Sequence, residues 1–274
     1  MALNKKLDRD FIANLFSLQG MTAIITGGAG RLGVQYVTAL KKAGANVVSF
    51  DVVINNALGK NIQQEKVDIT KKDDVFRATD IVEQKYGSVD ILINNAAFNP
   101  KVGKDADSTG SECWLPHEDY PQSLWLKEFD IGLNGAMYCT QASARHMIRQ
   151  NSGIILNIAS TSAITAPDHR KYEKGKFKSA AYPVVKTALL GLTRSWAAYF
   201  ASTAPNVRVN SVCLGAVNFG SMEPEFLAKL GQRNMLGRPA KPDEYNGLIL
   251  FLCSDASSFI TGSIVTADGG QTVW

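Results

Sequence analysis

Short apolar runs alternate along this chain with longer stretches in which apolar residues recur every three or four positions. The short runs predict buried β-strands, and they cover 22–26, 46–51, 65–68, 89–97, 153–159, 207–213 and 264–266. The longer stretches predict helices, and they cover 34 to about 44, 71–86, 122–150 and 183–201. Strands separated by helices indicate a parallel sheet covered on both faces. The pattern therefore predicts an α/β fold with a doubly wound parallel sheet.

The same pattern divides the chain into a lead-in and one domain. Residues 1–17 have apolar positions at helical spacing, which predicts a short amphipathic N-terminal lead-in. Residues 18–274 contain no internal repeat, low-complexity tract or linker, so we predict that they form a single domain. Two connections within it are unusually long, over 98–122 and 161–181.

Composition and charge narrow the class of protein. Of the 274 residues, 45% are hydrophobic and 20% are charged, which is ordinary for a soluble globular enzyme. A net charge of +4 is too small to favour nucleic acid or an anionic membrane as a partner. No apolar run approaches the roughly 18 residues of a membrane-spanning helix, and the first ten residues lack the apolar core of a signal peptide. The four cysteines are far apart and form no Cys-x-x-Cys motif, so we expect a cytoplasmic protein without disulfides or a bound metal.

A glycine-rich turn follows the first predicted strand of the domain. The strand over 22–26 runs directly into Gly27-Gly-Ala-Gly-Arg-Leu-Gly33, and helical spacing follows. Glycines let the backbone approach a pyrophosphate, which then lies at a helix N-terminus where amide hydrogens and the dipole favour negative charge. Glycines also form ordinary turns, but the strand before and the helix after favour a dinucleotide site of the Rossmann type. The predicted cofactor contacts in this turn are Gly27, Gly30, Arg31, Leu32 and Gly33.

An acidic residue ends the second predicted strand. Asp51 lies 18 residues beyond Gly33, where a carboxylate can accept hydrogen bonds from the ribose diol of NAD and would repel the 2′-phosphate of NADP. Aspartate is also common in turns, which is the alternative interpretation. We predict that NAD(H) is the preferred cofactor and that NADP(H) binds less well.

A tyrosine and a lysine at the start of the last long helix are the main catalytic candidates. Tyr182 and Lys186 are four residues apart, so they lie on one face of a helix. An ammonium beside a phenol favours the phenolate and lowers its pKa, which prepares the tyrosine to exchange a proton with an alcohol or carbonyl oxygen. Taken alone, such a pair is more often a surface pair on a helix.

Tyr172 and Lys176 form a second pair with the same spacing. Gly175 interrupts that segment, and the surrounding residues are almost all charged, so the segment has no apolar face to pack against a core. Tyr182 instead precedes apolar residues at helical spacing, and Pro183 is tolerated in a first helical turn. We therefore predict that Tyr182, not Tyr172, is the acid/base.

Together these features resemble the short-chain dehydrogenase/reductase family over nearly the whole chain. The matching pieces follow the family's order: Thr26-Gly27 to Gly33, Asp51, Asp68-Ile69, Asn94-Asn-Ala-Ala97, Asn157-Ile-Ala-Ser160, Tyr182 to Lys186, Val207-Arg-Val-Asn210, Ile260-Thr-Gly262 and Asp268-Gly-Gly270. The resemblance implies a nicotinamide-dependent oxidoreductase that interconverts a secondary alcohol and a ketone.

The resemblance also implies roles for individual residues. Ser160 would hydrogen-bond the substrate oxygen, Tyr182 would be the general acid/base, and Lys186 would bind the nicotinamide ribose and tune Tyr182. Further cofactor contacts are implied for Asp68 and Ile69 at the adenine, Asn94 and Ala96 near the ribose, and Gly215 to Val217 at the carboxamide. Without this context, Ser160 and Asn94 would be read as turn residues.

The chain departs from the family pattern in the glycine turn and in the long helix. Arg31 stands where the family usually has its second glycine, so its side chain could contact phosphate directly. Gly132 stands where the family often has an active-site asparagine. Asn134, two residues later, would point elsewhere on a helix, and we assign it no catalytic role.

The connection between Ser160 and Tyr182 contains a basic insertion. The two residues are 22 positions apart, where the family commonly has about a dozen. The insertion, 167–178, carries five cations: Arg170, Lys171, Lys174, Lys176 and Lys178. Because it joins two catalytic residues it must pass near the substrate, where its cations could bind a phosphate or carboxylate. A solvated loop is an equally good interpretation. The other long connection contains Trp114 and is expected to form the opposite wall of the pocket, with His117 as a surface residue.

These observations give one leading hypothesis and two alternatives. The leading hypothesis is an NAD(H)-dependent oxidoreductase that acts on a sugar or sugar-phosphate in a surface-polysaccharide pathway, because Gly132-Leu-Asn-Gly135 with a basic insertion resembles relatives in bacterial surface-sugar pathways. The first alternative is a small-ketone, steroid or acyl-thioester reductase of the same family. The second is a weakly catalytic dinucleotide-binding regulator, because a fold alone does not establish a function.

The resemblance further implies a homo-tetramer or homo-dimer. Family members associate through their long central helices and C-terminal segments. The candidate interface residues are Met137, Leu189, Leu192, Trp196 and the C-terminal Trp274, and the first four could equally belong to the core.

Overall fold

The computed structural model describes residues 9–99 and 110–274, and its centre is a single parallel β-sheet. The strands are β1 Thr22–Thr26, β2 Asn46–Asp51, β3 Gln63–Lys66, β4 Ile91–Asn94, β5 Gly153–Ser160, β6 Val207–Leu214 and β7 Ile264–Ala267. Their order across the sheet is β3-β2-β1-β4-β5-β6-β7, and every neighbouring pair is parallel. This topology confirms the predicted doubly wound α/β fold.

Helices cover both faces of the sheet. They are α1 Arg9–Phe16, α2 Arg31–Lys42, α3 Lys72–Tyr86, α4 Gln122–Phe129, α5 Gly135–Gln150, α6 Ala181–Thr203, α7 Pro224–Gly231 and α8 Asn246–Leu252. One apolar core joins α2 and α8 to one face, and a second core joins α3, α5 and α6 to the other. Strands β1 and β4 bury both of their faces, which explains why they show no alternation of apolar and polar residues.

Two strands end earlier than their apolar runs suggest. The run over 89–97 forms a strand only as far as Asn94, because the backbone amides of Asn95 and Ala96 turn to donate to Thr26 Oγ1, at 3.0 and 3.1 Å. The strand predicted over 65–68 lies two residues earlier, at Gln63–Lys66. It ends at Lys66, because the Asp68 carboxylate accepts a hydrogen bond from the Thr70 amide and starts a turn.

The long helix predicted over 122–150 is divided by one π-helical turn, Asp130–Asn134. A π turn adds a residue to the helical repeat. Here it buries Gly132 against α6, where a Cβ atom would come within 2.5 Å of Val185 Cγ1. Asn134 is exposed and its amide donates to Asp130 Oδ1 at 2.8 Å, so it points away from the centre of the fold, as predicted.

The strand order reverses between β1 and β4, which makes the carboxyl edge of the sheet the expected ligand-binding edge. No described helix has both the length and the apolar character needed to span a membrane. All four cysteines are buried.

Candidate active site

A cleft of about 1030 Å³ lies along the carboxyl edge of the sheet. The glycine turn forms one end of it, the ends of β2, β4, β5 and β6 form its floor, and the start of α6 and the basic insertion form the other end. Such a crevice at a topological switch point is where open α/β sheets bind their ligands. The cleft brings together most of the residues that the sequence singles out.

The glycine turn is packed too tightly to accept side chains. A Cβ atom on Gly33 would lie 2.1 Å from the Gly27 carbonyl oxygen and 2.7 Å from the Gly28 Cα. Gly27 has a φ of +63°, a conformation that favours glycine. The turn leads into the N-terminus of the twelve-residue helix α2, with Gly30 as its N-cap. The residues present fit a pyrophosphate, because the first residues of α2 line the cleft and no side chain caps this positive helix end.

Arg31 crosses from the glycine turn to the opposite wall of the cleft. Its Nη1 donates to Ser221 Oγ at 3.1 Å, and its guanidinium carbon lies 5.3 Å from the Phe219 ring centroid. Arg31, Ser221 and Phe219 all line the cleft. The side chain is therefore one wall of the predicted phosphate site and is linked to the segment after β6.

Asp51 lies at the end of β2 beside the glycine turn. Its Oδ2 accepts a hydrogen bond from the Ala29 amide at 3.0 Å, and its Oδ1 accepts from the Val53 amide at 3.3 Å. A carboxylate has about four acceptor positions. Asp51 lines the cleft and keeps acceptor capacity for a ribose diol.

The other predicted cofactor residues lie on the cleft wall with one exception. Leu32, Asp68, Ile69, Ala96, Gly215 and Val217 all line the cleft. Asn94 does not. It is 4% exposed and its amide donates to Thr140 Oγ1 at 3.1 Å and to Asn157 Oδ1 at 2.9 Å, so it belongs to a buried polar network beneath the floor.

Asn95 takes the wall position that the sequence analysis gave to Asn94. Its side-chain amide donates to the carbonyl oxygens of Thr26 and Gly27, at 3.0 and 3.1 Å, and it lines the cleft. Successive residues of a strand point to opposite sides, so the choice between two adjacent asparagines depends on where β4 ends. Asn95, and not Asn94, therefore lines the cleft, and the cofactor contact that the sequence predicts at Asn94 is the less favourable choice of the two.

Ser160, Tyr182 and Lys186 meet in the middle of the cleft. Ser160 is the last residue of β5, and its hydroxyl hydrogen-bonds the Tyr182 phenol. Tyr182 lies in the first turn of α6, and Lys186 follows one turn later. The buried Lys186 Nζ donates to the Ile158 carbonyl oxygen at 2.6 Å and lies 5.8 Å from the Tyr182 ring centroid. Because the end of β5 and the start of α6 both belong to packed elements, the three side chains are held rigidly.

The pKa values of the pair differ from the expectation drawn from sequence. Burial raises the pKa of Tyr182, and the Ser160 hydrogen bond opposes this only in part. Burial also lowers the pKa of Lys186 to about 8. The expected lowering of the tyrosine pKa by Lys186 is absent because desolvation disfavours both charged forms. Tyr182 therefore carries its proton at neutral pH.

A buried acid that the sequence analysis missed supports Tyr182. The hydroxyl of Ser179 donates to the carboxylate of Glu128 on α4, and its oxygen accepts from the backbone amide of Tyr182 at 3.1 Å. Tyr120 donates to the same carboxylate oxygen. Burial raises the pKa of Glu128. A serine three residues before the tyrosine is a helix-start signal, whereas nothing in the sequence distinguishes Glu128 from a surface residue.

Tyr172 lies on the cleft wall but not on a helix. Its ring packs against Trp114 and Phe226, with ring centroids 5.4 and 5.8 Å apart, and all three residues line the cleft. Of the two tyrosines only Tyr182 begins a packed helix, as its spacing predicts, and its role as the acid/base stays a prediction. Residues 100–109 of the long connection lie outside the described residues. Trp114 places the described part at the pocket, as expected, and His117 is exposed.

The fold and cleft define a class of protein: a dinucleotide-dependent oxidoreductase with a Ser–Tyr–Lys site. A family model described as enoyl-(acyl carrier protein) reductase matches residues 27–272. The chain belongs to the short-chain dehydrogenase/reductase family, whose members act on alcohols and ketones.

Known relatives cover almost the whole chain. It is 30% identical to cis-4-hydroxycyclohexanecarboxylate dehydrogenase of Sinomonas cyclohexanicum over 91% of this chain and 96% of that protein. It is 27% identical to 5-keto-D-gluconate 5-reductase of Escherichia coli K12 over 95% and 98%. The crystal structure of a short-chain dehydrogenase from Leptospira borgpetersenii with bound NAD+ has a TM-score of 0.82 at 26% identity, covering 94% of each chain.

Proposed function

We propose that this protein is an NAD(H)-dependent oxidoreductase that interconverts a secondary alcohol and a ketone on a sugar or sugar-like ring. The observation that carries the proposal is the single cleft in which the glycine turn and Asp51 lie at one end and Ser160, Tyr182 and Lys186 lie together further along. That arrangement supports a cofactor and a reacting oxygen at adjacent places. Geometry of this kind is the main contribution of a protein to hydride chemistry.

The residues of the cleft have separate tasks in this reaction. A nicotinamide supplies or accepts the hydride at carbon. Ser160 donates a hydrogen bond to the substrate oxygen, and Tyr182 gives that oxygen its proton during reduction or takes it during oxidation. Because burial raises its pKa, Tyr182 is at neutral pH in the protonated form that ketone reduction requires. Lys186 is fixed by Ile158 and presents its remaining N–H groups toward the ribose.

The far end of the cleft supports a ring-shaped polar substrate. Trp114, Tyr172 and Phe226 give it flat apolar walls, and Asn99, Ser162 and Gln271 add hydrogen-bonding groups. The two relatives described above are named for a hydroxylated cyclohexane carboxylate and for a six-carbon keto sugar acid. The acyl-thioester alternative has the description of the family model in its favour.

A substrate panel tests the proposed function. NADH fluorescence titration measures binding, and NADH oxidation is then followed with keto-sugars, keto-sugar acids, ketose phosphates, cyclic ketones and acyl thioesters. We expect turnover with at least one ring or sugar ketone. Tight NADH binding without turnover across the panel would contradict the proposal and favour the regulator.

The cofactor preference is expected to depend on the charge of Asp51. NAD(H) should bind at least tenfold more tightly than NADP(H), about 1.4 kcal/mol, because the carboxylate would face the 2′-phosphate. Asp51→Asn is a matched variant, since its amide oxygen can still accept from Ala29 N without the charge. Isothermal titration of both cofactors should show the ratio moving toward one in this variant. Equal affinities in the wild type would remove Asp51 from this role.

We also propose that the protein is a homo-oligomer, a tetramer or a dimer. Tyr199 on α6 is 50% exposed, and the C-terminal Val273 and Trp274 are 76% and 78% exposed. Leu189, one of the residues considered for the interface, is 2% exposed and belongs to the core instead. Light scattering at micromolar concentration should give two or four times the mass of the chain. A monomer under these conditions would exclude the assembly.

A further inference from the structure

The five cations of the basic insertion separate into two groups in the structure. Arg170 and Lys176 pair with acids of their own segment, at 2.8 and 2.7 Å, and Lys174 is exposed. Lys171 and Lys178 instead line the cleft. The solvated-loop interpretation therefore suits three of the cations and fails for the other two.

Lys178 is placed beside the predicted acid/base. Its side chain is 8% exposed, and its Nζ lies 4.0 Å from the Tyr182 ring centroid. The ammonium donates one hydrogen bond to Asn99 Oδ1, a neutral acceptor that also lines the cleft. An ammonium has three donors. Two therefore remain for a ligand that enters next to Tyr182.

The charge of Lys178 is incompletely compensated by the part of the chain that the structure describes. No carboxylate of residues 9–99 or 110–274 pairs with Lys178. The nearby Glu128 carboxylate accepts from Ser179 and Tyr120 through Oε1, and its buried Oε2 has no hydrogen-bond partner among the described residues, so it compensates Lys178 only through space. Burial first, and then the neighbouring Lys171 charge, lower the pKa of Lys178 to about 7.

A buried cation of this kind is costly unless an anion pairs with it. Lys171 has the same character, since its pKa is lowered by burial and by the charge of Arg233. Two lysines that face one cleft with weakened charges form a site that an anion would complete. A bound carboxylate or phosphate would receive charge-assisted hydrogen bonds from both.

We propose that Lys178, with Lys171 beside it, binds an anionic group of the substrate, a carboxylate or a phosphate, close to the carbon that reacts. The closeness of Lys178 to the Tyr182 ring places this group within about one sugar ring of the reacting oxygen. The site thus selects anionic ring substrates over their neutral counterparts. This inference rests on the proposed alcohol–ketone activity, because only that activity makes the bound anion part of a substrate. The anion site itself can be tested without turnover.

Binding of inert anions to the NADH-loaded protein tests the site directly. The probes are gluconate for a carboxylate, inorganic phosphate for a phosphate, and sorbitol as the neutral counterpart of gluconate. We expect gluconate or phosphate to bind at least tenfold more tightly than sorbitol, as measured by isothermal titration. The stronger of the two anions identifies the group. Equal binding of sorbitol and both anions would overturn the proposal.

The variants assign the binding to Lys178. Lys178→Met should weaken the preferred anion at least tenfold, whereas Lys176→Met, a change of an exposed lysine in the same segment, should leave it unchanged. Lys178→Gln keeps a donor for Asn99 but removes the charge. It should lose as much anion affinity as Lys178→Met, and equal losses show that the charge is responsible rather than a packing defect. Lys171→Gln should give a smaller loss. Anion affinity retained in both Lys178 variants would overturn the assignment.

Kinetics separate this site from the proposed function. With an anionic substrate from the panel, Lys178→Gln should raise KM at least tenfold while kcat changes less than threefold, and Lys176→Gln should leave both constants unchanged. If no substrate is turned over but anion binding still needs Lys178, the proposed function fails and the anion site stands. If neutral ketones alone are turned over and no anion binds, the proposed function stands and the anion site fails.

Discussion

Replacing Tyr182 with phenylalanine is expected to lower kcat by about 100-fold or more, equivalent to about 2.7 kcal/mol of transition-state stabilisation. Phenylalanine keeps the ring that packs against the Lys178 ammonium, 4.0 Å from its centroid. It removes only the hydroxyl that hydrogen-bonds Ser160 and that exchanges the proton. Steady-state rates with the best ketone of the panel measure the loss. NADH fluorescence titration should show that cofactor affinity is largely kept.

Tyr172→Phe is the matched control, because Tyr172 lines the same cleft and has a lysine at the same spacing. Its hydroxyl is carried on a loop rather than on a packed helix, so its loss should change kcat less than tenfold or alter mainly KM. An inactive Tyr172→Phe together with an active Tyr182→Phe would show that the active site is assigned to the wrong tyrosine.

Gly33→Ala is expected to weaken NADH binding by at least 100-fold. The added methyl group would lie 2.1 Å from the Gly27 carbonyl oxygen and 2.7 Å from the Gly28 Cα, and both are backbone atoms that cannot rotate away. The glycine turn must therefore open, which displaces the amides that face the cofactor phosphates. A hundredfold loss corresponds to about 2.7 kcal/mol of binding free energy. Isothermal titration with NADH measures it, and circular dichroism at the same temperature checks that the variant is folded.

Gly247→Ala provides the control for the same chemical change. Gly247 lies in α8, and a Cβ atom there meets nothing within 4 Å. Alanine is a better helix former than glycine, so the variant should be as stable as the wild type or slightly more stable, with unchanged NADH affinity. If Gly33→Ala binds NADH within threefold of the wild type, the glycine turn does not hold the pyrophosphate.

The fold could be predicted from sequence because its signals are local and repeated. The strand Thr22–Thr26 is confirmed at both of its ends, and a helix follows the glycines as predicted, although it begins at Arg31 rather than at 34. A buried strand and a close backbone turn each permit few residue types. Gly87 ends α3 in the left-handed conformation, as its position after the periodic stretch suggests. Such features need no knowledge of distant contacts.

The parts of the site that could not be predicted depend on distant contacts. Asn94 and Asn95 are equivalent in sequence, and only the bonds to Thr26 and Gly27 decide that Asn95 faces the cleft. The direction of the Tyr182 pKa depends on how deeply the ring is buried, which spacing to Lys186 does not reveal. In each case a tertiary contact overrides the local pattern.

The positions of the cations in the basic insertion also depend on distant contacts. Its five cations are similar in sequence, yet one pair enters the cleft and the others remain in solvent. Lys178 enters because His117 contacts its carbonyl oxygen at 3.2 Å and its amide donates to His169 Nδ1 at 3.1 Å, which fixes the backbone against the fold. These two contacts join residues that are 61 and 9 positions apart in sequence, so the local pattern does not reveal them.

The contact between Gly132 and Val185 couples the residues that these two positions accept. An asparagine at position 132, the residue that the family often has there, would place its Cβ 2.5 Å from Val185 Cγ1, a β-branched side chain with little rotamer freedom in a helix. An asparagine at 132 therefore requires a smaller residue at 185. Conversely, a smaller residue at 185 leaves a cavity beside Gly132 until a side chain fills it. The stability costs of the two changes are thus expected to be non-additive, with the double change costing less than the sum of the single ones.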